Sequence, residues 1–214
     1  MLNRISILSV DDHELVRKGL AAILATEPEI ELVAEAATGA EACRLFAHHL
    51  PDVTLMDLRL PDMSGVDASR AIRAHHPEAQ IIALTSYDGD QDIYRALEAG
   101  VRGYLLKDMV HTEILRAIRT VHSGKRFIPM EVSQQLNGFF PEVALTPREV
   151  EVLTLVAQGL GNKEVGDSLG TAAGTVKAHV QSILSKLGAK DRTHAVTIAL
   201  KRGIIHLYSA NVEP

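Results

Sequence analysis

Asp52-Val53-Thr54-Leu55-Met56-Asp57-Leu58-Arg59-Leu60-Pro61 is the stretch whose reading decides the fold. Val53 to Met56 is a short, nearly continuous apolar run, as expected of a strand buried on both faces of a parallel sheet. Asp57 ends the run, and Pro61 prevents the chain from continuing the ladder. Open α/β sheets bind their ligands outside the carboxyl ends of their strands. Asp57 is therefore a candidate nucleophile or metal ligand. Taken alone, an aspartate that merely starts a loop is the simpler reading. The two separate on whether other strands aim matching chemistry at the same edge.

They do. Ile5 to Val10 is an apolar run that ends in Asp11-Asp12, and Leu15, Leu20, Ile23 and Leu24 follow at helical spacing. Glu31 to Ala36 predicts a second strand, and Thr38-Gly39 opens a helix through Ala42, Leu45 and Phe46 that stops before Pro51. After the third strand, Ser64 with Asp67 resembles a capping box for the next helix. Ile81 to Leu84 predicts a strand ending at Thr85-Ser86, and Asp90 caps a helix closed by Gly100. Gly103 to Leu106 predicts the fifth strand, ending at Lys107, after which Asp108 caps a helix through Ile114, Ile118 and Val121. Five βα units with right-handed crossovers make a doubly wound parallel sheet, helices on both faces. Four of the five strands end in reactive chemistry at one edge: Asp11 and Asp12, Asp57, Thr85, Lys107.

Composition bounds the rest. With 46% hydrophobic and 23% charged residues the 214-residue chain reads as ordinary globular protein. No apolar run approaches a membrane span, the N-terminus lacks a signal-peptide pattern, and the expected location is the cytoplasm. Cys43 is the one cysteine, which excludes an intrachain disulfide. Residues 1–144 carry 14 Lys+Arg against 21 Asp+Glu, net −7; residues 145–214 carry 8 against 6, net +2. An acidic front with a basic segment behind it suggests two domains with different partners. The repeated pairs His48-His49 and His75-His76 invite a metal reading, but each closes a helix, where positive charge suits the C-terminus. Adjacent helical residues also point about 100° apart, so neither pair converges on one ion by itself.

Periodicity fades from Ser123 to Val143, a linker with a short helix expected around Val132 to Leu136. Thr146, Pro147 and Glu149 then form a strong helix start, and that helix runs to Gly159. Further helices are expected over Asn162 to Leu169, Thr175 to Leu187, and Arg192 to Lys201. The chain therefore divides into 1–123, a 124–143 linker, and a smaller all-α domain over 144–214.

Three carboxylates, a hydroxyl and a lysine describe a Mg²⁺-assisted phosphoryl-transfer site. Mg²⁺ takes oxygen ligands, commonly one or two carboxylates with phosphate and water. Asp57 can attack phosphorus, Lys107 can neutralise the transferred oxygens, and Thr85 can donate a hydrogen bond. Asp11-Asp12, Leu55-Met56-Asp57, Pro61, Gly65, Thr85, Gly103-Tyr104 and Lys107 together resemble the receiver domain of bacterial two-component response regulators. The resemblance covers Met1 to about Ser123 and implies a flavodoxin-like fold phosphorylated on Asp57 by a histidine kinase. It also implies Asp11, Asp12, Asp57 and the Arg59 main-chain carbonyl as Mg²⁺ ligands. Thr85 and Tyr104 become the switch pair and Lys107 the phosphoryl contact. Tyr104 has a plainer reading as packing beside a strand.

In Thr175 to Leu187, Val176, Val180, Ile183, Leu184 and Leu187 share one face. Thr175, Ala178, Gln181, Ser182 and Ser185 lie broadly opposite, with Lys177 and Lys186 on the flanks. That small, polar face fits a major groove, with lysines reaching phosphates, though a solvated surface fits the periodicity equally. The stretches LTPREVEVLTLVAQGL, NKEV, GTVKAHVQSILSKLG and DRTHA are similar to the LuxR-type helix-turn-helix. With the receiver this resembles the NarL/FixJ-type response regulators: DNA-binding transcriptional regulators, dimeric when phosphorylated, whose implied partners also include RNA polymerase. The resemblance implies that Lys177, Ala178 and Gln181 face double-stranded DNA, with Thr175 near the backbone. Gly161 stands where a serine cap is common, Gly166 where alanine is usual, and Thr171-Ala172 replaces an apolar–serine pair. Those departures keep a protein-binding adaptor as an alternative. An aspartate-based phosphohydrolase lacks support, because no second acid stands two residues after Asp57. The expected role is thus a phosphoacceptor, not an enzyme.

Overall fold

The apolar runs form the interior strands of one sheet. The computed structural model describes residues 4–86, 89–130, 132–133 and 145–205. In the first unit β1 (Ile5–Val10), β2 (Ile30–Ala36), β3 (Val53–Asp57), β4 (Ile81–Thr85) and β5 (Gly103–Leu106) alternate with α1 (Glu14–Leu24), α2 (Gly39–His49), α3 (Gly65–His75), α4 (Asp90–Glu98) and α5 (Val110–His122). All neighbouring strands pair in parallel in the order β2-β1-β3-β4-β5. Every residue of β3 is buried, because helices cover both faces.

Alternation along the strands separates two cores. Leu8, Val10, Met56, Ala83 and Tyr104 pack against α2, α3 and α4 through Phe46, Ile72 and Ile93. Ile7, Val53, Leu55, Leu84 and Leu105 pack on the other face against α1 and α5 through Leu20, Leu24, Ile114 and Ile118. The chain order reverses between β1 and β3, so a crevice opens at their carboxyl ends. That is where doubly wound sheets place their ligands.

Local signals act as their chemistry requires, with exceptions. Thr38 and Ser64 cap α2 and α3 by accepting from the amides of Glu41 and Asp67. Gly100, at φ 83°, lies just past α4, in a conformation glycine adopts without a Cβ penalty. Asp90 is the first residue of α4 rather than its cap. Asp108 does not cap α5 either: a 3₁₀ turn, Lys107–Met109, carries the chain off β5, and Met109 takes the cap position with no side-chain bond. Its i→i+3 bonding tightens the exit from the strand, leaving Asp108 inside the turn. Cys43 sits half-buried in α2 as packing. His48 and His49 meet edge-to-face at 4.7 Å, as neighbours at a helix end.

The segment after Ser123 begins as part of this unit. Phe127 forms a parallel bridge with Gly103, donating to the Arg102 carbonyl at 3.0 Å and accepting from the Tyr104 amide at 2.9 Å. Phe127 packs into the α1/α5 core and Val132 into the opposite one, so the chain straps across the exposed edge of β5. Covering an edge strand removes a template for unwanted pairing. Val132 and Ser133 are helical; the remainder of the expected short helix lies outside the described residues.

The second unit contains α6 (Pro147–Ala157), α7 (Asn162–Leu169), α8 (Ala173–Leu187) and α9 (Arg192–Lys201) around Val152, Val156, Val165, Val176, Ile183 and Ala199. Helix α8 starts two residues before Thr175, with Ala172 at its cap position and no side-chain bond. Among the described residues no helix is long and apolar enough to cross a membrane.

Candidate functional site

The carboxyl ends of β1, β3 and β5 bring Asp11, Asp57 and Lys107 together, and β4 ends in Thr85 at the same edge. Asp11, Asp57 and Thr85 are almost fully buried at this edge, at 0%, 3% and 2% exposure. Lys107 lies between the first two, its Nζ 2.6 Å from Asp11 Oδ2 and 2.7 Å from Asp57 Oδ2. The Arg59 amide donates to Asp57 Oδ1 at 3.0 Å, so each oxygen of that carboxylate has a different partner. Burial pushes the Asp57 carboxyl above the usual carboxylate range, and Lys107 and the Arg59 amide offset this only in part. Burial disfavours the Lys107 ammonium, yet hydrogen bonds to Asp11 and Asp57 outweigh it and raise its pKa. Two acids thus share one ammonium.

Asp12 sits at the rim of the cluster, and two neighbours missed by sequence reasoning complete the loop. His13 donates its amide to Asp11 Oδ1 at 2.9 Å and places Nδ1 2.6 Å from Asp12 Oδ1. Arg17, one helical turn later, donates to the Asp11 carbonyl at 2.6 Å. The signal for both was spacing: His13 directly follows the acids, and position i+4 returns to the same side of the helix. One ligand atom from each of Asp11, Asp12, His13 and Asp57 lies within 4.8 Å of the others. Among the described residues this is the only such group, and its predominance of carboxylates suits a hard divalent cation.

A tight hairpin follows Asp57. Arg59 and Ser64 form an antiparallel bridge, and the Gly65 amide donates to the Leu58 carbonyl at 2.9 Å. A Cβ on Gly65 would collide with the Asp57 carbonyl oxygen, so the glycine permits the close return. Thr85 is in register with Leu106 across β4 and β5, while Tyr104, paired with Ala83, is wholly buried in the core.

In the helical unit Val176 and Ile183 are buried while Thr175, Lys177, Ala178 and Gln181 are exposed on α8. Ser182 and Lys186, expected among the outward residues, turn instead toward α6. Ser182 Oγ donates to Glu149 Oε1 at 2.7 Å, and Lys186 Nζ lies 2.6 Å from Glu149 Oε2. Glu149 also completes a capping box with Thr146. Burial would raise its pKa, but Lys186, Ser182 and Thr146 bring it down to about 2. Sequence reasoning saw only the cap.

The connecting turn explains one unusual glycine. The Gly166 carbonyl accepts from the amides of Gly170 and Thr171, and a Cβ at 166 would lie 2.6 Å from the Thr171 carbonyl oxygen. Gly161 has no side chain to cap α7, but Glu164 reaches back to its amide at 2.6 Å.

Comparison with known proteins agrees with this geometry. The "Response regulator receiver domain" family model matches residues 7–119, and that of "Bacterial regulatory proteins, luxR family" matches 143–199. The transcriptional regulatory protein LiaR of Bacillus subtilis is 40% identical over 210 residues, covering 94% of this chain and 100% of LiaR. Response regulator protein VraR of Staphylococcus aureus is 41% identical over 207 residues, covering 94% and 99%. The response regulator RcsB in complex with DNA superposes with a TM-score of 0.66 at 25% identity, covering 93% of this chain and 99% of RcsB. A second RcsB structure, two dimers bound to two parallel DNAs, aligns with the same TM-score, identity and coverage. The chain belongs to the two-component response regulators that join a receiver domain to a LuxR-type DNA-binding domain, and is a transcriptional regulator of the LiaR and VraR kind.

Proposed function

We propose that Asp57 is the phosphoacceptor and that Asp11, Asp12, Asp57 and the Arg59 main-chain carbonyl hold Mg²⁺. The observation that carries this is the Asp57 carboxylate at the switch-point crevice, gripped by Arg59 and Lys107 beside a second acid. When bound, Mg²⁺ supplies positive charge next to the transferred phosphoryl oxygens. An Asp57 oxygen bonds to phosphorus as the N–P bond of a phosphohistidine kinase breaks; the departing imidazole takes up a proton. Lys107 then contacts the phosphoryl group, and Thr85 and Tyr104 act as the switch pair. Only differential contact with the two states can shift that equilibrium. Asp57→Asn should abolish Mg²⁺-dependent labelling by a small phosphodonor; labelling equal to wild type would place the acceptor elsewhere.

Thr175, Lys177, Ala178 and Gln181 face double-stranded DNA in this reading, supported by their common exposure on α8. Lys186 we assign to bracing rather than to phosphate contact, because its ammonium is on Glu149. Phosphorylation promotes a homodimer that reads paired half-sites, a reading supported by RcsB dimers on DNA. RNA polymerase is the further partner, and the cytoplasm the location. The receiver extends beyond residue 123 to include the strap through Val132; the linker follows, and the DNA-binding domain begins near Leu145.

A further inference from the structure

The hairpin after Asp57 ends in Pro61-Asp62-Met63, and its tip is fastened to a different helix. Asp62 accepts from two successive amides at the start of α2: Oδ1 from Gly39 at 2.8 Å and Oδ2 from Ala40 at 2.9 Å. That helix already carries its own cap. Thr38 accepts from the Glu41 amide at 3.1 Å, and Glu41 accepts from the Ala37 amide at 3.0 Å. A helix start leaves its first amides without intrahelical partners; here the two not served locally are served by Asp62. Met63 adds a second hold, since its side chain fills the space that a Cβ on Gly39 would need.

From Asp62 the hairpin runs straight to the reacting group. The Arg59–Ser64 bridge and the Leu58–Gly65 hydrogen bond join its two arms. The arm containing Arg59 donates the amide that holds Asp57 Oδ1 and so orients Oδ2 toward Lys107. Displacement of the tip moves the Arg59 backbone, and with it the carboxylate.

We propose that Asp62 is a positioning residue for phosphorylation: by clamping the hairpin tip to α2, it fixes the Arg59 backbone that orients Asp57. The assignment rests on Asp57 being the phosphoacceptor. An exposed carboxylate can serve this way because two charge-assisted bonds at a helix N-terminus are short, directional and favoured by the helix dipole.

The test uses the full chain as wild type, Asp62→Ala, Asp62→Asn and Asp57→Asn. Amide hydrogen exchange resolved by residue is measured without metal, and initial labelling by a small phosphodonor is measured with Mg²⁺. In Asp62→Ala the amides of Gly39 and Ala40 should exchange faster, and that of Arg59 at least about tenfold faster. Labelling should slow by about tenfold, less than the roughly hundredfold that a full 1 Å misplacement of a reacting group can cost. Asp62→Asn, which keeps one acceptor oxygen, should fall between. Faster exchange at Gly39 and Ala40 with Arg59 unchanged would mean that the clamp serves α2 alone, overturning the inference. Wild-type labelling by Asp62→Ala, with Asp57→Asn inactive, would also overturn it while leaving the phosphoacceptor reading intact. Wild-type labelling by Asp57→Asn would remove both.

Discussion

Two buried carboxylates, Asp57 in the receiver and Glu149 in the DNA-binding unit, are each held by a lysine, yet their acidities move in opposite directions. Glu149 has Lys186, Ser182, the Thr146 amide and no competing acid beside it, and its pKa falls to about 2. Asp57 shares Lys107 with Asp11, and burial wins. Depth and partners both separate the two: Asp57 lies the deeper and must divide its cation, whereas the shallower Glu149 keeps every donor to itself. A carboxylate with every lone pair answered is a brace, whereas one that divides a single cation with a second acid keeps a use for more positive charge. Perturbed groups of the second kind cluster at functional sites.

Removing the shared cation tests the receiver side most severely. Lys107→Ala leaves two adjacent buried acids without an ammonium, a loss on the order of 4 kcal/mol. The receiver's melting temperature should fall in metal-free buffer, and Mg²⁺ should restore more of it than it adds to wild type. The response to phosphorylation should also be lost. Equal Mg²⁺ stabilisation of both proteins would mean that Lys107 and the cation do not answer the same charge.

On the output side Glu149→Ala strands Lys186 and the Thr146 amide, and should cost about 3 kcal/mol. Calorimetry of the helical unit's transition in the full chain measures it. Because the folded pKa is depressed, this contribution is complete above 4.5 and disappears as pH falls toward about 2. The stability gap between wild type and Glu149→Gln should therefore close over that interval. A gap that stays constant would show that shape, not charge, makes the brace.

Smaller effects sharpen the contrast. Gly166→Ala should gain about 1 kcal/mol of helix propensity. Meeting a backbone carbonyl 2.6 Å away should cost more, leaving a net destabilisation of about 1 kcal/mol. A raised melting temperature would mean that the turn yields. Lys177→Ala should leave stability unchanged and lower the log–log salt slope of DNA binding by roughly one. An unchanged slope would remove Lys177 from the phosphate contacts.

The order of elements was legible in the chain because period-2 and period-3.6 patterns, caps and glycine stops are local properties. The five strands stand where the apolar runs stand, and Thr38, Ser64 and Thr146 cap the helices they announce. Residues at strand ends were legible too: in a parallel sheet every such end faces one edge, so Asp11, Asp57 and Lys107 meet, and Thr85 stands at the same edge, without further instruction. What only the tertiary structure decided is partnership between segments distant along the chain. Glu149 reaches Lys186 from 37 residues away, and Asp62 reaches Gly39 from 23. Phe127 straps β5 from within a stretch whose periodicity had faded. A capping glutamate and a turn aspartate look identical in sequence whatever their second partner. Which amide or ammonium fills the remaining lone pairs depends on how helices and loops pack, and one-dimensional spacing does not encode it.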